Sequence, residues 1–329
     1  MKKVNLAVVG ATGMVGRTVL KVLEERSIPV DNFYAFSSKN SAGSVIEFCQ
    51  KEYLAQELTE NSFDRDIDMA IFCAGGEISE KFAPIAAMQG CTVVDNSSFF
   101  RMREGVPLIV PEVNPQDINW HKGIIANPNC STIQAVVALK PLLDKYGLKR
   151  VIYSTYQSVS GAGLGGWKDL EDKTSNTFLK PIAYNLIPQI DTFLENGYTK
   201  EEMKMINESR KILGQRDLKI TATTVRVPVF SSHSESINIE LDSSFEIEEI
   251  KALLGSSPGI ALMDDIENNV FPTPLDAEGK DEVFIGRIRR DESVENGLNI
   301  WCVTDNLRKG AATNAVQIVE LLINGEGTK

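Results

Sequence analysis

The sequence predicts an α/β protein of two domains, a doubly wound parallel sheet at the N-terminus followed by a domain of α+β type. Three observations carry this. The chain has 329 residues, a length that ordinarily means two domains. It opens with a strand, a glycine turn and an amphipathic helix in direct succession: Val4 to Val9, Gly10 to Gly16, and the apolar positions Val15, Val19, Leu20 and Leu23. Beyond Gly147, β-rich runs outnumber helical ones, so the second half does not alternate strand and helix.

Composition excludes several classes of function. A chain that is 43% hydrophobic and 24% charged is ordinary globular material. Its formal charge is −11, and Arg287-Ile288-Arg289-Arg290 is a short basic cluster in an acidic protein, so neither nucleic acid nor anionic membrane is an expected partner. Apolar runs fall far short of the ~18 residues of a membrane span. Met1-Lys2-Lys3 leads straight into the first strand, without the pattern of a signal segment. Cysteines 49, 73, 91, 130 and 302 are odd in number and form no C-x-x-C pair, which fits reduced thiols. The expected location is the cytoplasm.

In the first domain, Gly10-Ala11-Thr12-Gly13-Met14-Val15-Gly16 is a G-x-x-G-x-x-G turn in the strand-to-helix context of a Rossmann-type dinucleotide site. Gly10 permits the tight turn, Gly13 lets the backbone approach a pyrophosphate, and Gly16 lets the helix pack on the sheet, with the helix N-terminus facing the phosphate charge. The second strand, Asn32 to Phe36, ends in Ser37-Ser38-Lys39-Asn40-Ser41, where hydroxyls and a cation replace the carboxylate that would hold the ribose of NAD. The expected cofactor is therefore NADP, with no metal. Further strands are expected at Met69 to Cys73, Thr92 to Val94 and Leu108 to Val110, each ending in small or polar residues.

Gly123 to Ala126 leads through Asn127-Pro128-Asn129 to Cys130, just ahead of a helix expected over Ile133 to Leu143. A thiol at a helix N-terminus is a candidate nucleophile, because the helix dipole and nearby N–H donors favour the thiolate. In the second domain, strands are expected over Arg150 to Val159, Leu218 to Phe230, Ser236 to Leu241, Glu282 to Ile288 and Leu298 to Thr304. A helix from Thr199-Lys200-Glu201-Glu202, which has capping-box spacing, continues to Leu213. A closing helix, Ala311 to Ile323, is assigned back to the first domain. The expected division is 1–130 plus 311–329 for the NADP-binding domain and 131–310 for the second.

Of two histidines, His233 lies where a strand breaks into a polar turn, a setting suited to a proton carrier near a cysteine nucleophile. His121 has no such setting. Gln157 and the Ser160-Gly161 backbone sit in a glycine-rich turn that ends a strand. Glu208 and Lys211 are three apart on one helix face, the spacing of a surface ion pair. Arg101 follows Asn96 to Phe100 and by itself reads as ordinary surface.

Taken together, Gly10 to Gly16, Pro128-Asn129-Cys130-Ser131-Thr132, Gln157 to Gly163 and Arg226-x-Pro-Val-x-x-x-His233-Ser-Glu resemble the aspartate-semialdehyde dehydrogenase family over nearly the whole chain. The resemblance implies NADPH-dependent reduction of L-aspartyl-4-phosphate to L-aspartate-4-semialdehyde, in biosynthesis of lysine through diaminopimelate, threonine and methionine. It implies that Cys130 forms a thioacyl intermediate, His233 moves protons and Gln157 orients the acyl group. Arg226 would grip the substrate carboxylate, Glu208 its ammonium, and Arg101 with Lys211 the phosphate. The implied cofactor contacts are Gly10, Thr12, Gly13, Met14, Val15, Gly16, Ser38, Lys39, Asn40, Ser41, Ser160, Gly161 and Asn306. The second domain would be catalytic and dimerising, in a homodimer. Two departures stand out: Asn40 occupies a place where many relatives carry arginine, and the stretch from Leu170 to Tyr184 is short. An N-acetyl-glutamyl phosphate reductase, a glyceraldehyde-type dehydrogenase and a non-catalytic nucleotide sensor remain as alternatives.

Overall fold

Residues 3–325 are described in the structure, a computed structural model, and the chain divides after Asn129 and after Gly310. One unit runs to Asn129 and resumes at Ala311; the other is Cys130–Gly310.

In chain order the first unit holds β1 (Val4–Val9), α1 (Met14–Glu25), β2 (Val30–Ser37), β3 (Val45–Phe48), β4 (Lys51–Leu54), β5 (Gln56–Glu57), β6 (Met69–Phe72), α2 (Gly76–Met88), β7 (Thr92–Asp95) and β8 (Ile124–Ala126). Six strands form one parallel sheet in the order β5-β2-β1-β6-β7-β8. Leu6, Ala7, Val8 and Val9 are all buried, as expected of a central strand covered on both faces. The strand order reverses at β1, so the Gly10–Gly13 turn lies at the topological switch point, where ligands bind in such sheets.

Two local features differ from expectation. Leu108 to Val110 makes a single bridge, Leu108 to Ala126, rather than a strand. Toward β8 the pairing is limited to Ile109 N donating to the Ala126 carbonyl at 3.1 Å and Ala126 N to the Pro107 carbonyl at 2.8 Å, while on the segment's other edge the Asn114 side chain occupies the Val110 N–H and the Leu108 carbonyl, both at 2.9 Å. The antiparallel hairpin β3–β4 was not foreseen.

The second unit comprises α3 (Cys130–Tyr146), β9 (Leu148–Gln157), α4 (Gly163–Glu171), α5 (Lys200–Ile212), β10 (Lys219–Arg226), β11 (His233–Leu241), α6 (Ile247–Gly255), β12 (Ile260–Leu262), α7 (Pro274–Ala277), β13 (Val283–Asp291) and β14 (Gly297–Thr304). A turn of π-helix, Arg308–Ala312, then leads to α8 (Thr313–Ile323), whose apolar residues join the core of the first unit. The six-stranded mixed sheet has the order β10-β9-β11-β14-β13-β12. Helix α3 packs along it, and α5 and α6 pack against α3. Cys130, expected at the end of the first domain, is the first residue of α3 and so belongs to the second unit.

Candidate active site

Strand register gathers the site. Arg226, the last residue of β10, pairs with Gln157, the last of β9. β11 runs antiparallel to β9 with Ser234 opposite Tyr156, which sets His233, its first residue, across from Gln157. His233 also pairs with Thr304, the last residue of β14. Four adjacent strands thus end or begin at one end of the sheet. Helix α3 reaches β9 through Gly147, whose φ of +73° makes the reversal, so α3 runs back alongside the sheet and returns Cys130 to that same end. His233 was expected in a turn; it starts a strand, because residues 227–232 make the turn instead.

Arg226 is buried, and its Nη1 donates to the Ser158 carbonyl at 2.7 Å. Burial pulls its pKa down, while the charges of Glu201 and Cys130 oppose that shift. The Phe178 ring lies 5.9 Å from the guanidinium carbon. Phe178 is held there by Asp169, whose carboxylate accepts from Thr174 Oγ1 at 2.8 Å and from the N–H groups of Asn176, Thr177 and Phe178 at 2.8, 2.7 and 3.1 Å. Gly161 makes the remaining room: a Cβ there would stand 2.9 Å from Arg226 Nη1 and 3.3 Å from His233 Nε2. A Cβ on Gly310 would likewise press on Cys130 at 3.0 Å.

The His233 ring is 0% exposed. Burial, reinforced by the positive charge of Arg226, holds its pKa well below 6.5. Its Nδ1 accepts the Ser158 backbone N–H at 3.0 Å, and the Ser158 hydroxyl lies 3.0 Å from the same atom. That hydroxyl donates to Asn306 Oδ1 at 3.0 Å; the same oxygen accepts the Ser232 N–H at 3.0 Å, and Asn306 Nδ2 donates to Ser160 Oγ at 3.0 Å. Ser160 and Asn306 therefore stand together beneath the histidine.

Gln157 Nε2 donates to Thr155 Oγ1 and Glu201 Oε1, both at 3.3 Å. Glu201 Oε2 in turn lies 3.1 Å from Lys204 Nζ, which also meets Asp191 at 3.0 Å. Burial alone would lower the Lys204 pKa, but the Glu201 and Asp191 carboxylates overcome it and hold it above 10.5.

These residues replace an expectation. Glu208 and Lys211 do not stand at the end of α5 that faces the site. Glu202 Oε1 accepts the Thr224 N–H near the site end of β10, whereas Arg210 Nε donates to the Leu218 carbonyl beyond its far end. At 1.5 Å per residue, Glu208 lies about 10 Å down the helix from Glu201. Glu208 is also 1% exposed, which rules out a surface ion pair. The Thr199–Glu202 capping box is present and marked this helix end in the sequence, but its first turn was read as capping alone.

In the first unit, Gly10 has φ +83°, and a Cβ there would lie 2.8 Å from the Cys73 carbonyl oxygen. A Cβ on Gly16 would run into the Gly10 carbonyl, so Met14 and Val15 open α1 hard against the sheet. Gly10 N donates to the Phe36 carbonyl at 2.8 Å, which sets the Thr12–Gly13 turn beside the end of β2. There Ser38 and the short 3-10 turn Lys39–Ser41 stand largely exposed. Arg101 is not ordinary surface: it is buried, donating through Nε to the Asn127 carbonyl at 2.9 Å and through Nη2 to that of Asn96 at 3.0 Å. His121 Nδ1 accepts the Gly123 N–H at 3.1 Å.

Comparison with known proteins agrees along the whole length. Residues 5–121 match the semialdehyde dehydrogenase NAD-binding domain, and residues 139–309 match the semialdehyde dehydrogenase dimerisation domain. The chain is 53% identical to an aspartate-semialdehyde dehydrogenase of Aquifex aeolicus, over 97% of its own length and 98% of that protein's. It is 49% identical to that of Bacillus subtilis, over 97% of each. The crystal structure of aspartate semialdehyde dehydrogenase II from Vibrio cholerae complexed with ASA superposes with a TM-score of 0.96 at 46% identity, covering 99% of both chains.

Proposed function

The chain belongs to the aspartate-semialdehyde dehydrogenase family, and from that premise we propose that it converts L-aspartyl-4-phosphate to L-aspartate-4-semialdehyde through a thioester on Cys130. It is an oxidoreductase that uses a nicotinamide cofactor. The observation that carries the mechanism is the convergence of the Cys130 helix start with Gln157, Arg226 and His233 at one sheet end.

The first-unit residues fit a dinucleotide. Gly10 and Gly16 occupy positions that a side chain would close, and the turn they form opens the N-terminus of α1 toward an anion. Ser38, Lys39 and Ser41, with no carboxylate among them, favour the 2′-phosphate of NADP. When bound, that cofactor supplies the hydride.

The chain's own groups do the rest. Cys130 attacks the acyl phosphate carbonyl and phosphate leaves, a division of labour suited to a strong nucleophile and a good leaving group. Arg226 presents a guanidinium to the substrate α-carboxylate. Glu201, buried beside Arg226 and Gln157, takes the α-ammonium role in place of Glu208, and Lys204 the phosphate role in place of Lys211. Arg101 keeps its expected part in phosphate binding. A buried carboxylate next to the carboxylate clamp suits a zwitterion better than an N-acylated substrate, since an unpaired buried charge is costly.

The products serve lysine, diaminopimelate, threonine and methionine synthesis. We assign a homodimer formed through the sheet face opposite α3, where Tyr156 and Trp301 pack at 5.5 Å and stay partly exposed. Five cysteines that form no disulfide among the described residues favour a reducing cytoplasm. No helix among the described residues is long and apolar enough to cross a membrane.

The deciding assay is oxidation of aspartate semialdehyde with NADP and phosphate, beside N-acetylglutamate semialdehyde. Turnover of the first alone is expected; activity only with the second would overturn the assignment.

A further inference from the structure

We propose that Gln134 and Glu235 are positioning residues for the reaction: their side chains pair one layer below the strand ends and fix the first turn of α3, and with it Cys130, against β11. This role rests on Cys130 being the reacting thiol, as proposed above.

Strand register stacks the α3 face of the mixed sheet in layers. The end layer holds Arg226, Gln157 and His233. Two residues further into each strand, and so on the same face, Thr224 pairs with Thr155, Thr155 with Glu235, and Glu235 with Cys302. All four are 0% exposed. The third layer, Ala222, Tyr153, Ile237 and Ile300, is apolar but for one hydroxyl. A buried polar layer thus separates the site from the apolar core.

Helix α3 packs over β11, and both begin at the site end and run away from it. Four residues of helix advance about 6 Å and two residues of strand about 6.7 Å. Cys130 and Gln134, on one helix face, therefore span the same two layers as His233 and Glu235. The Cys302 sulfur lies 3.9 Å from the Gln134 carbonyl oxygen, which places Gln134 over the second layer. The Gln134 amide is the hydrogen-bonding group that acts on the Glu235 carboxyl, and neither side chain bonds elsewhere among the described residues.

A buried amide and a buried carboxyl are costly apart and complementary together, because the acid offers an O–H and a C=O while the amide offers an N–H and a C=O. Sliding α3 by one residue, about 1.5 Å, would part them. The pair therefore selects one register of helix on sheet, and Cys130, one turn away, inherits it. Reciprocal pairing needs the acid form, which burial and the charge of Glu201 maintain by raising the carboxyl to about 8. Ionisation would remove the O–H donor and leave a charge one layer below the thiol.

The titratable groups that face Glu235 are Cys130 on α3, Glu201 and Glu202 on α5, Arg226 on β10, Tyr153 on β9, Cys302 on β14 and His233 on its own strand. Burial and Glu235 itself keep Tyr153 and Cys302 protonated, and burial with Arg226 keeps His233 neutral. Within the second layer, Glu235 is thus the group whose charge changes near pH 8.

Methionine fills nearly the volume of either side chain and cannot form the pair. In Gln134→Met and in Glu235→Met, alkylation of Cys130 in the cofactor-free protein at pH 7 should slow by about tenfold, and kcat should fall by about 10- to 100-fold with the KM for NADP unchanged. Glu235→Gln, which pairs with the Gln134 amide at every pH, should recover most of both losses. Its alkylation rate relative to the parent should also rise by about five- to tenfold between pH 7 and pH 9, as the parent ionises. Methionine variants that alkylate and turn over like the parent would show a pair that only stabilises the fold, and would overturn the assignment. So would a Glu235→Gln no better than Glu235→Met. If the methionine variants do not fold, the ratio of Glu235→Gln to parent decides: a constant ratio from pH 7 to pH 9 overturns it. Failure of the thioester reading shows separately, as absence of an acyl adduct on Cys130 of the parent by mass spectrometry, and leaves the alkylation rates untouched.

Discussion

Glu202 Oε1 accepts a hydrogen bond from the Thr224 backbone N–H at 3.0 Å, and this bond settles which end of α5 meets the strand ends. Glu-x-x-Lys occurs twice on that helix, at 201/204 and 208/211, seven residues apart and so on nearly the same face. Only the first copy lies beside Gln157 and within electrostatic reach of Arg226.

Glu201→Gln should therefore raise the KM for aspartate semialdehyde, by about 10- to 100-fold for loss of a charge-assisted partner worth about 1.5 to 3 kcal/mol. Lys204→Ala should raise the KM for phosphate instead. Steady-state kinetics of both, beside Glu208→Gln and Lys211→Ala, decide the matter; substrate effects confined to the 208/211 pair would return the roles to it.

Thiol reagents should modify Cys130 first. Burial pushes Cys73 and Cys91 up to about 12 and Cys302 well above 9.0, while exposed Cys49 is raised by partial burial and by Glu24. Peptide mapping after brief alkylation at pH 7 gives the order, and Cys130→Ser should lose turnover while still binding NADP, because a serine hydroxyl is not ionised near neutral pH.

Gly161→Ala should cost activity out of proportion to stability. The added methyl meets Arg226 Nη1 at 2.9 Å and His233 at 3.3 Å, and Arg226 can yield only by leaving the Ser158 carbonyl. A drop in kcat/KM of about tenfold or more is expected, since misplacing reacting groups by about 1 Å can cost 10²-fold. Little change in melting temperature should accompany it.

Glu235 gives stability a pH signature. Burial raises its carboxyl to about 8, opposed by the Gln134 amide and reinforced by the charge of Glu201. The folded state holds a proton that the unfolded chain releases near its ordinary 4.5, so this group stabilises most below that pH and loses its contribution as pH rises through about 8. Glu235→Gln, which mimics the protonated acid, should flatten the stability profile across that window by up to about 1.4 kcal/mol per pH unit. Denaturant melts at pH 5 and pH 8 measure it; equal slopes in parent and variant would show Glu235 ionised in the fold.

Cofactor choice should favour NADP, but modestly, because Lys39 is the one cation in a loop where Asn40 adds none. The ratio of kcat/KM for NADP over NAD should exceed one, and Lys39→Ala should lower it with little effect on NAD.

Local pattern made the first unit readable: the β1–α1–β2 start follows from period and glycine placement. The β3–β4 hairpin escaped notice because its turn residues, Cys49 and Gln50, adopt φ of 51° and 60° without being the asparagine or glycine that usually announce such a turn. Cys130 and His233 stood out by residue type and setting, whereas Gln157 and Arg226 acquired roles through the family resemblance. Ser158 was not legible, since it acts through a backbone N–H that every residue but proline carries. Glu201 was hidden by its twin at 208, and only the strand beside the helix told them apart.

Between Glu171 and Lys200 the chain forms no helix and no strand longer than a bridge, the kind of segment that ordinarily exchanges its amide hydrogens within seconds and attracts proteases. Asp169 changes that locally. Its four hydrogen bonds outweigh the cost of burial and bring its pKa down to about 2, so the latch stays ionised across the physiological range. The amides of Asn176, Thr177 and Phe178, together with Ile187 bonded to the Arg226 carbonyl at 3.0 Å, are expected to exchange slowly within a fast stretch. The wall that sets Phe178 against Arg226 thus hangs on one aspartate, and deuterium uptake in this segment is expected to report on the order around Arg226, the proposed carboxylate clamp, in the protein without substrate.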